Sequence, residues 1–299
     1  MTTCYIILAF LLNVFLNDDH HDKHIDRSVA AIDYNLSAPD KIYILPDVLR
    51  EISGITETDA SSVACVQDEK GILFIYDLMK EKIKKQYPFS NNGDYEGITR
   101  VDKTIYILRS DGILLEIPAY ESENFAVKAY STEIPAKDNE GLCYDQKSNR
   151  LLIAPKSNST KDSEDKNKRF IYAFDLKSKK LIKKPLFVFN LKAIGKFATE
   201  NNIKVPMKSG KKGDKKDPDI EFRPSAIGIH PLTNKLFLLS GMEKLLFVFN
   251  MNGETEYIEK LDPELFPQPE GITFLKNGDM LISNENNKPT ILKFNYLKK

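Results

Sequence analysis

The strongest constraint on this chain is a short phrase that returns five times. It reads Ser53-Gly54-Ile55, Glu96-Gly97-Ile98, Glu140-Gly141-Leu142, Ser225-Ala226-Ile227 and Glu270-Gly271-Ile272. The steps between first residues are 43, 44, 85 and 45. A fixed period of this size marks a repeat architecture, in which units that cannot bury an apolar face alone stack on copies of themselves. The phrase also places three carboxylates and two hydroxyls at one equivalent position.

Two apolar runs follow each phrase. The first set covers residues 63–66, 105–108, 151–154, 236–239 and 280–282, and the second 72–76, 113–117, 170–174, 245–249 and 290–294. Each run is short, rich in β-branched and aromatic residues, and bounded by Gly, Asn, Asp or Lys, which is a strand signal. Several are too continuously apolar for a half-exposed strand and suit sheets covered on both faces, as stacked propeller blades are. Asp111-Gly112, Asn252-Gly253 and Asn277-Gly278 supply the positive φ of tight hairpins. Fourth runs precede the next phrase at residues 84–89, 126–130 and 255–261.

The last repeat ends after three strands, and a matching run, residues 41–46, precedes the first phrase. This N-terminal strand is expected to complete the last blade and close the ring, pairing an open sheet edge. The fold predicted is all-β: a five-bladed β-propeller with a short helical insertion. The step of 85 leaves six blades as the alternative. Insertion is preferred, because residues 191–204 carry apolar residues at helical spacing and residues 204–219 are rich in Lys, Gly and Asp without a strand pattern.

Balanced charge, 43 basic against 43 acidic residues, gives no support for polyanion binding, and no nucleic-acid partner is expected. Residues 5–16 form an apolar run, short for a membrane span but of signal-peptide length. No Lys or Arg precedes it and no small-x-small cleavage site follows, so a helix buried on the propeller is the alternative. Residues 1–28 are therefore expected to be a leader or membrane anchor plus polar tether, and residues 29–299 one propeller domain, monomeric and outside the cytoplasm. Cys65 and Cys143 fall in blades that are not ring neighbours and read as core residues, not a disulfide.

In a propeller the first strand of each blade lines the axis. Ser53, Glu96, Glu140, Ser225 and Glu270 are thus expected to ring one mouth. Loops between second and third strands open on the same face and carry Asp68, Glu69, Arg109, Asp111, Lys156, Asn284 and Glu285, which with Ser53 and Ser225 are the candidate ligand-binding residues. Glu51, Asp94 and Asp138 lie just before the phrases. Two carboxylates about 6 Å apart at an effective dielectric of about 20 repel by roughly 3 kcal/mol. Three must share protons, pair with Arg109 or Lys156, or hold a cation. Oxygen-only ligands on a roomy ring suit calcium, so Glu96, Glu140 and Glu270 are the candidate metal ligands. Two other readings stay open: the glutamates cap backbone amides of neighbouring blades, or one acts as a general base. His230 is expected at the far end of its strand in a structural role. No Gly-rich phosphate loop, serine-hydrolase elbow or zinc motif is present.

These phrases, with Ser110-Asp111-Gly112, Cys143-Tyr144-Asp145, Ile229-His230-Pro231 and Phe266-Pro267-Gln268-Pro269, resemble the SdiA-regulated family of bacterial propeller proteins over roughly residues 41–297. The resemblance implies an extracytoplasmic or membrane-associated propeller, calcium-linked by analogy with related propellers, with no settled activity. More distantly the phrases look like those of esterase-like phytase and regucalcin-type propellers, which is analogy at the level of fold. The function expected is a binding module for a small-molecule or polymeric ligand. The alternatives are a calcium-dependent hydrolase of phosphate esters or lactones, and a protein scaffold that uses residues 191–219.

Overall fold

Short β-branched and aromatic runs, punctuated by left-handed turns at Gly112, Gly253 and Gly278 (φ 85°, 84° and 94°), fold here into antiparallel meanders. The computed structural model describes residues 32–122, 125–158, 165–205 and 220–297. The run at residues 5–16 and most of the Lys-rich stretch lie outside the described residues.

Strand β1 (Lys41–Ile44) is followed by blade one, β2 (Ile52–Asp59), β3 (Ser62–Gln67), β4 (Ile72–Asp77) and β5 (Lys82–Pro88). Blade two is β6 (Tyr95–Val101), β7 (Thr104–Arg109), β8 (Ile113–Pro118) and β9 (Lys128–Ser131). Blade three is β10 (Ala136–Asp145), β11 (Arg150–Asn158), β12 (Lys168–Asp175) and β13 (Lys180–Asn190), leading into helix α1 (Leu191–Glu200). Blade four is β14 (Ala226–Ile229), β15 (Leu236–Ser240), β16 (Leu245–Phe249) and β17 (Thr255–Lys260). The last strands are β18 (Pro269–Phe274), β19 (Met280–Asn284) and β20 (Thr290–Phe294). Each of the five sheets has four strands, and the last runs β1-β20-β19-β18. The structure is a five-bladed propeller, and the long step is a single blade.

Closure is the expected one. β1 pairs antiparallel with β20 from Lys41 opposite Lys293 to Ile44 opposite Thr290. Tyr43 and Leu45 bury themselves between blades five and one, and this covers an edge that would otherwise be open. Inner strands β2, β6, β10, β14 and β18 touch in a closed cycle. Five apolar clusters fill the spaces between neighbouring blades. The largest collects Phe187, Phe189, Phe222, Phe247 and Phe249 between blades three and four. Helix α1 covers that seam with Ile194 and Ala198. Its start is capped by Asn190, whose Oδ1 accepts from the Lys192 and Ala193 amides at 2.9 and 3.3 Å.

On the axis, the third residue of each phrase forms an apolar collar. Ile55, Ile98, Leu142, Ile227 and Ile272 are each 5% exposed or less. All five border both the space at the acidic mouth and a chamber at the opposite mouth. The collar therefore divides the axis into two compartments.

Candidate functional site

Four of the five ring residues stand at a break in strand register. Pairing of the inner with the second strand jumps between Ile52 and Gly54, Tyr95 and Gly97, Asn139 and Gly141, and Pro269 and Gly271. The extra residues are Ser53, Glu96, Glu140 and Glu270. A bulge takes one residue out of the ladder and re-aims its side chain, so the fold itself turns these groups to the mouth. The glycine that follows is required by crowding. A Cβ on Gly97 would lie 2.7 Å from the Glu140 carbonyl oxygen and 2.7 Å from Leu142 Cβ.

The two serines have a positioning arrangement. Ser53 donates its hydroxyl to the Tyr95 carbonyl at 2.5 Å, and Ser225 donates to the Pro269 carbonyl at 2.9 Å. Each accepting carbonyl belongs to the residue before a ring glutamate. The hydroxyls thereby tie blade one to two and blade four to five, and hold Glu96 and Glu270 in place. Among the described residues, no backbone amide donates to the Glu96, Glu140 or Glu270 carboxylate. At the ring itself, the hydrogen bonds that join blades come from the serines.

The carboxylates face one another. Glu140 is 6% exposed, and Lys156 Nζ lies 3.0 Å from its Oε1. Burial pushes Glu140 up, and Lys156 opposes this. Burial opposes charge on Lys156 in turn, and Glu140 more than offsets it, so its ammonium is held above the ordinary lysine value. Glu96 is pushed well up by burial, by the charge of Glu140 and by a hydrogen bond with the Asp94 carboxyl. Glu270 is pushed up to about 7 by burial and Glu140, against Lys156, Gln268 and Lys244. The ring thus holds protons near neutral pH that isolated carboxyls would have lost.

A second acidic set lies beside the ring. Glu285 is pushed up by burial, by a hydrogen bond with Glu51 and by Glu270, and it accepts from Gln268 Nε2 at 2.7 Å. Asp68 is pushed up by burial and by Glu51. Glu69 is exposed at the rim. Arg109 Nη2 pairs with the exposed Asp111 at 2.6 Å, while its Nε is buried without a hydrogen-bond partner. Asn284 is fully buried and donates to Thr290 Oγ1 at 3.3 Å. Gln268 and Lys244 were not among the sequence candidates. Lys244 lies in the β15–β16 loop, on the mouth side by the same topology that selected Lys156, and Gln268 lies two residues before Glu270.

The space at the ring is about 10 Å³, bordered by all five phrases. That is about the room one water-sized body needs. Among the described residues, no three His, Cys, Asp or Glu side chains already converge as a metal cage. Buried acceptor oxygens without partners at this end include Asp68 Oδ1, Asn139 Oδ1 and Asn284 Oδ1. Hard oxygen donors of this kind match calcium or magnesium, not zinc or copper.

His230 lies at the far end of its strand. Its Nδ1 accepts from the Leu232 and Thr233 amides at 3.2 and 3.0 Å, and burial holds it down at about 4. It is a neutral turn cap. Cys65 and Cys143 are free and buried. No helix among the described residues is long and apolar enough to cross a membrane.

No family model matches the chain, and no curated protein matches it by sequence. Solved structures do. Glutaminyl cyclase of Myxococcus xanthus is 11% identical, with 86% of this chain and 95% of that one covered and a TM-score of 0.54. A streptogramin B lyase is 13% identical, with 85% and 96% covered and a TM-score of 0.49. At such identity the first likeness supports the propeller fold alone.

Proposed function

We propose that this chain is a binding propeller of the SdiA-regulated type, whose acidic mouth takes one calcium ion and, through it, an oxygen-bearing ligand. Glu96, Glu140 and Glu270 hold the ion in this reading, and the run at residues 5–16 directs or anchors the chain outside the cytoplasmic membrane. The observation that carries it is the match of charge to space: carboxyls that burial and the repulsion of their ionised forms keep protonated, around room for a single small body. A divalent cation replaces those protons and removes the repulsion. No catalytic motif accompanies the ring, which favours binding over turnover.

The test is calcium titration of the purified protein by calorimetry, with Glu96→Gln, Glu140→Gln and Glu270→Gln alongside. Saturable binding in the parent that weakens at least tenfold in each variant is expected. Unchanged binding in all three, or none in the parent, rejects the ring as the metal site.

One observation favours a second reading, calcium-dependent hydrolysis of a phosphate ester or lactone. Glu270, pushed up to about 7, has the value of a general base working at neutral pH. A screen of phosphate esters and lactones tests it, and turnover undiminished in folded Glu270→Gln assigns the base elsewhere.

A further inference from the structure

The chamber at the far mouth, about 200 Å³, is cut off from the acidic ring by the collar. The collar is its floor. Its wall is the next residue of each inner strand: Thr56, Thr99, Cys143, Gly228 and Thr273. On the side of blades three and four the wall is packed: Cys143 belongs to the core between those blades, and Phe274 and Ile272 fill the space beside Gly228.

The wall has unused hydrogen-bonding capacity. Thr56 Oγ1 accepts from the Arg100 amide at 3.2 Å, and Thr273 Oγ1 accepts from the Glu57 amide at 3.3 Å. An accepting hydroxyl keeps its own O–H to give. Thr99 occupies the equivalent place in blade two. It is 6% exposed and lines the chamber, and its hydroxyl has no hydrogen-bond partner among the described residues. That hydroxyl opens onto the chamber, so its O–H is available to an acceptor placed there.

The charges of the wall are already matched. Arg100 Nη2 is 2.6 Å from Glu57 Oε2, its Nε donates to the Glu57 carbonyl, and its Nη1 donates to the Asp102 carbonyl. Lys147 stands at the exposed rim. An ionic ligand finds no unmatched partner inside. A cavity of about 150 Å³ accommodates benzene, so this chamber has room for a somewhat larger ring.

We infer that the far chamber is a second binding site, for a small uncharged molecule whose apolar body rests on the collar and whose carbonyl oxygen accepts from Thr99. This site is independent of the acidic mouth.

The experiment follows threonine, leucine and isoleucine methyl signals of the full chain during titration with acetophenone, ethylbenzene and benzoate. Acetophenone is expected to give saturable shifts at Thr56, Thr99, Thr273 and Ile98. Ethylbenzene, which lacks the acceptor, and Thr99→Val, which lacks the donor, are each expected to weaken binding about fivefold. Benzoate is expected not to bind. The inference is overturned if acetophenone gives no saturable shift at these methyls, if benzoate binds as tightly, or if folded Thr99→Val binds acetophenone like the parent.

Discussion

At the scale of single residues, the ring couples stability to pH. A carboxyl whose folded value is raised binds its proton more tightly folded than unfolded. Its stabilising contribution is full below the unfolded value and is lost as pH rises through the folded one. For Glu270 that window runs from 4.5 to about 7. Without added cation, Glu270→Gln is therefore expected to match the parent near the acid end and to exceed it by on the order of 1–3 kcal/mol above the window. Denaturant melts across pH check this, and parallel curves for the two proteins would contradict it. Lys156→Met removes the ammonium at Glu140 and is expected to cost about 1–3 kcal/mol in stability while raising calcium affinity, since no cation has to be displaced. The glutamates and their glycines were legible from the repeat. The serine-to-carbonyl staples were not, because a hydroxyl at an equivalent position says nothing about which neighbouring backbone it reaches. Lys244 lies at the far end of its loop, directly before β16, where it reads as the charged boundary of an apolar run.

At the scale of elements, the bulged inner strand and the borrowed outer strand matter most. Gly97→Ala puts a methyl against backbone of the next blade at 2.7 Å and is expected to destabilise by about 1–3 kcal/mol. A melting temperature unchanged by this substitution would show that the inner strands are not in close contact. Truncation to residue 47 removes β1 with the buried side chains of Tyr43 and Leu45 and exposes the β20 edge. A loss of about 3–6 kcal/mol with concentration-dependent aggregation is expected, read by thermal melts and light scattering. The strands themselves were plain in the sequence, including the one that closes the ring, because period, apolar run and turn chemistry agreed. The bulges were not, since a one-residue shift in pairing depends on the partner strand. The long step between the third and fourth phrases resolves into the unusually long hairpins of blade three and helix α1, whose apolar face is spent on the aromatic seam.

At the scale of the whole molecule, a closed ring with an apolar collar separates an acidic mouth from a hydroxyl-lined chamber. Both compartments are made by consecutive positions of one repeated phrase: first residue to the mouth, third to the collar, fourth to the chamber. The sequence showed the first of these layers because charge draws attention. It hid the last because threonine, cysteine and glycine look like ordinary strand filling until the axis is built. The binding reading turns on whether the ring takes a cation, and diffraction locates one directly. Crystals soaked in terbium, a calcium substitute with strong anomalous scattering, are expected to show one peak on the axis, about 2.3–2.6 Å from oxygens of Glu96, Glu140 and Glu270. A map with no axial peak, or with terbium only on outer carboxylates and Lys156 still paired to Glu140, would contradict it.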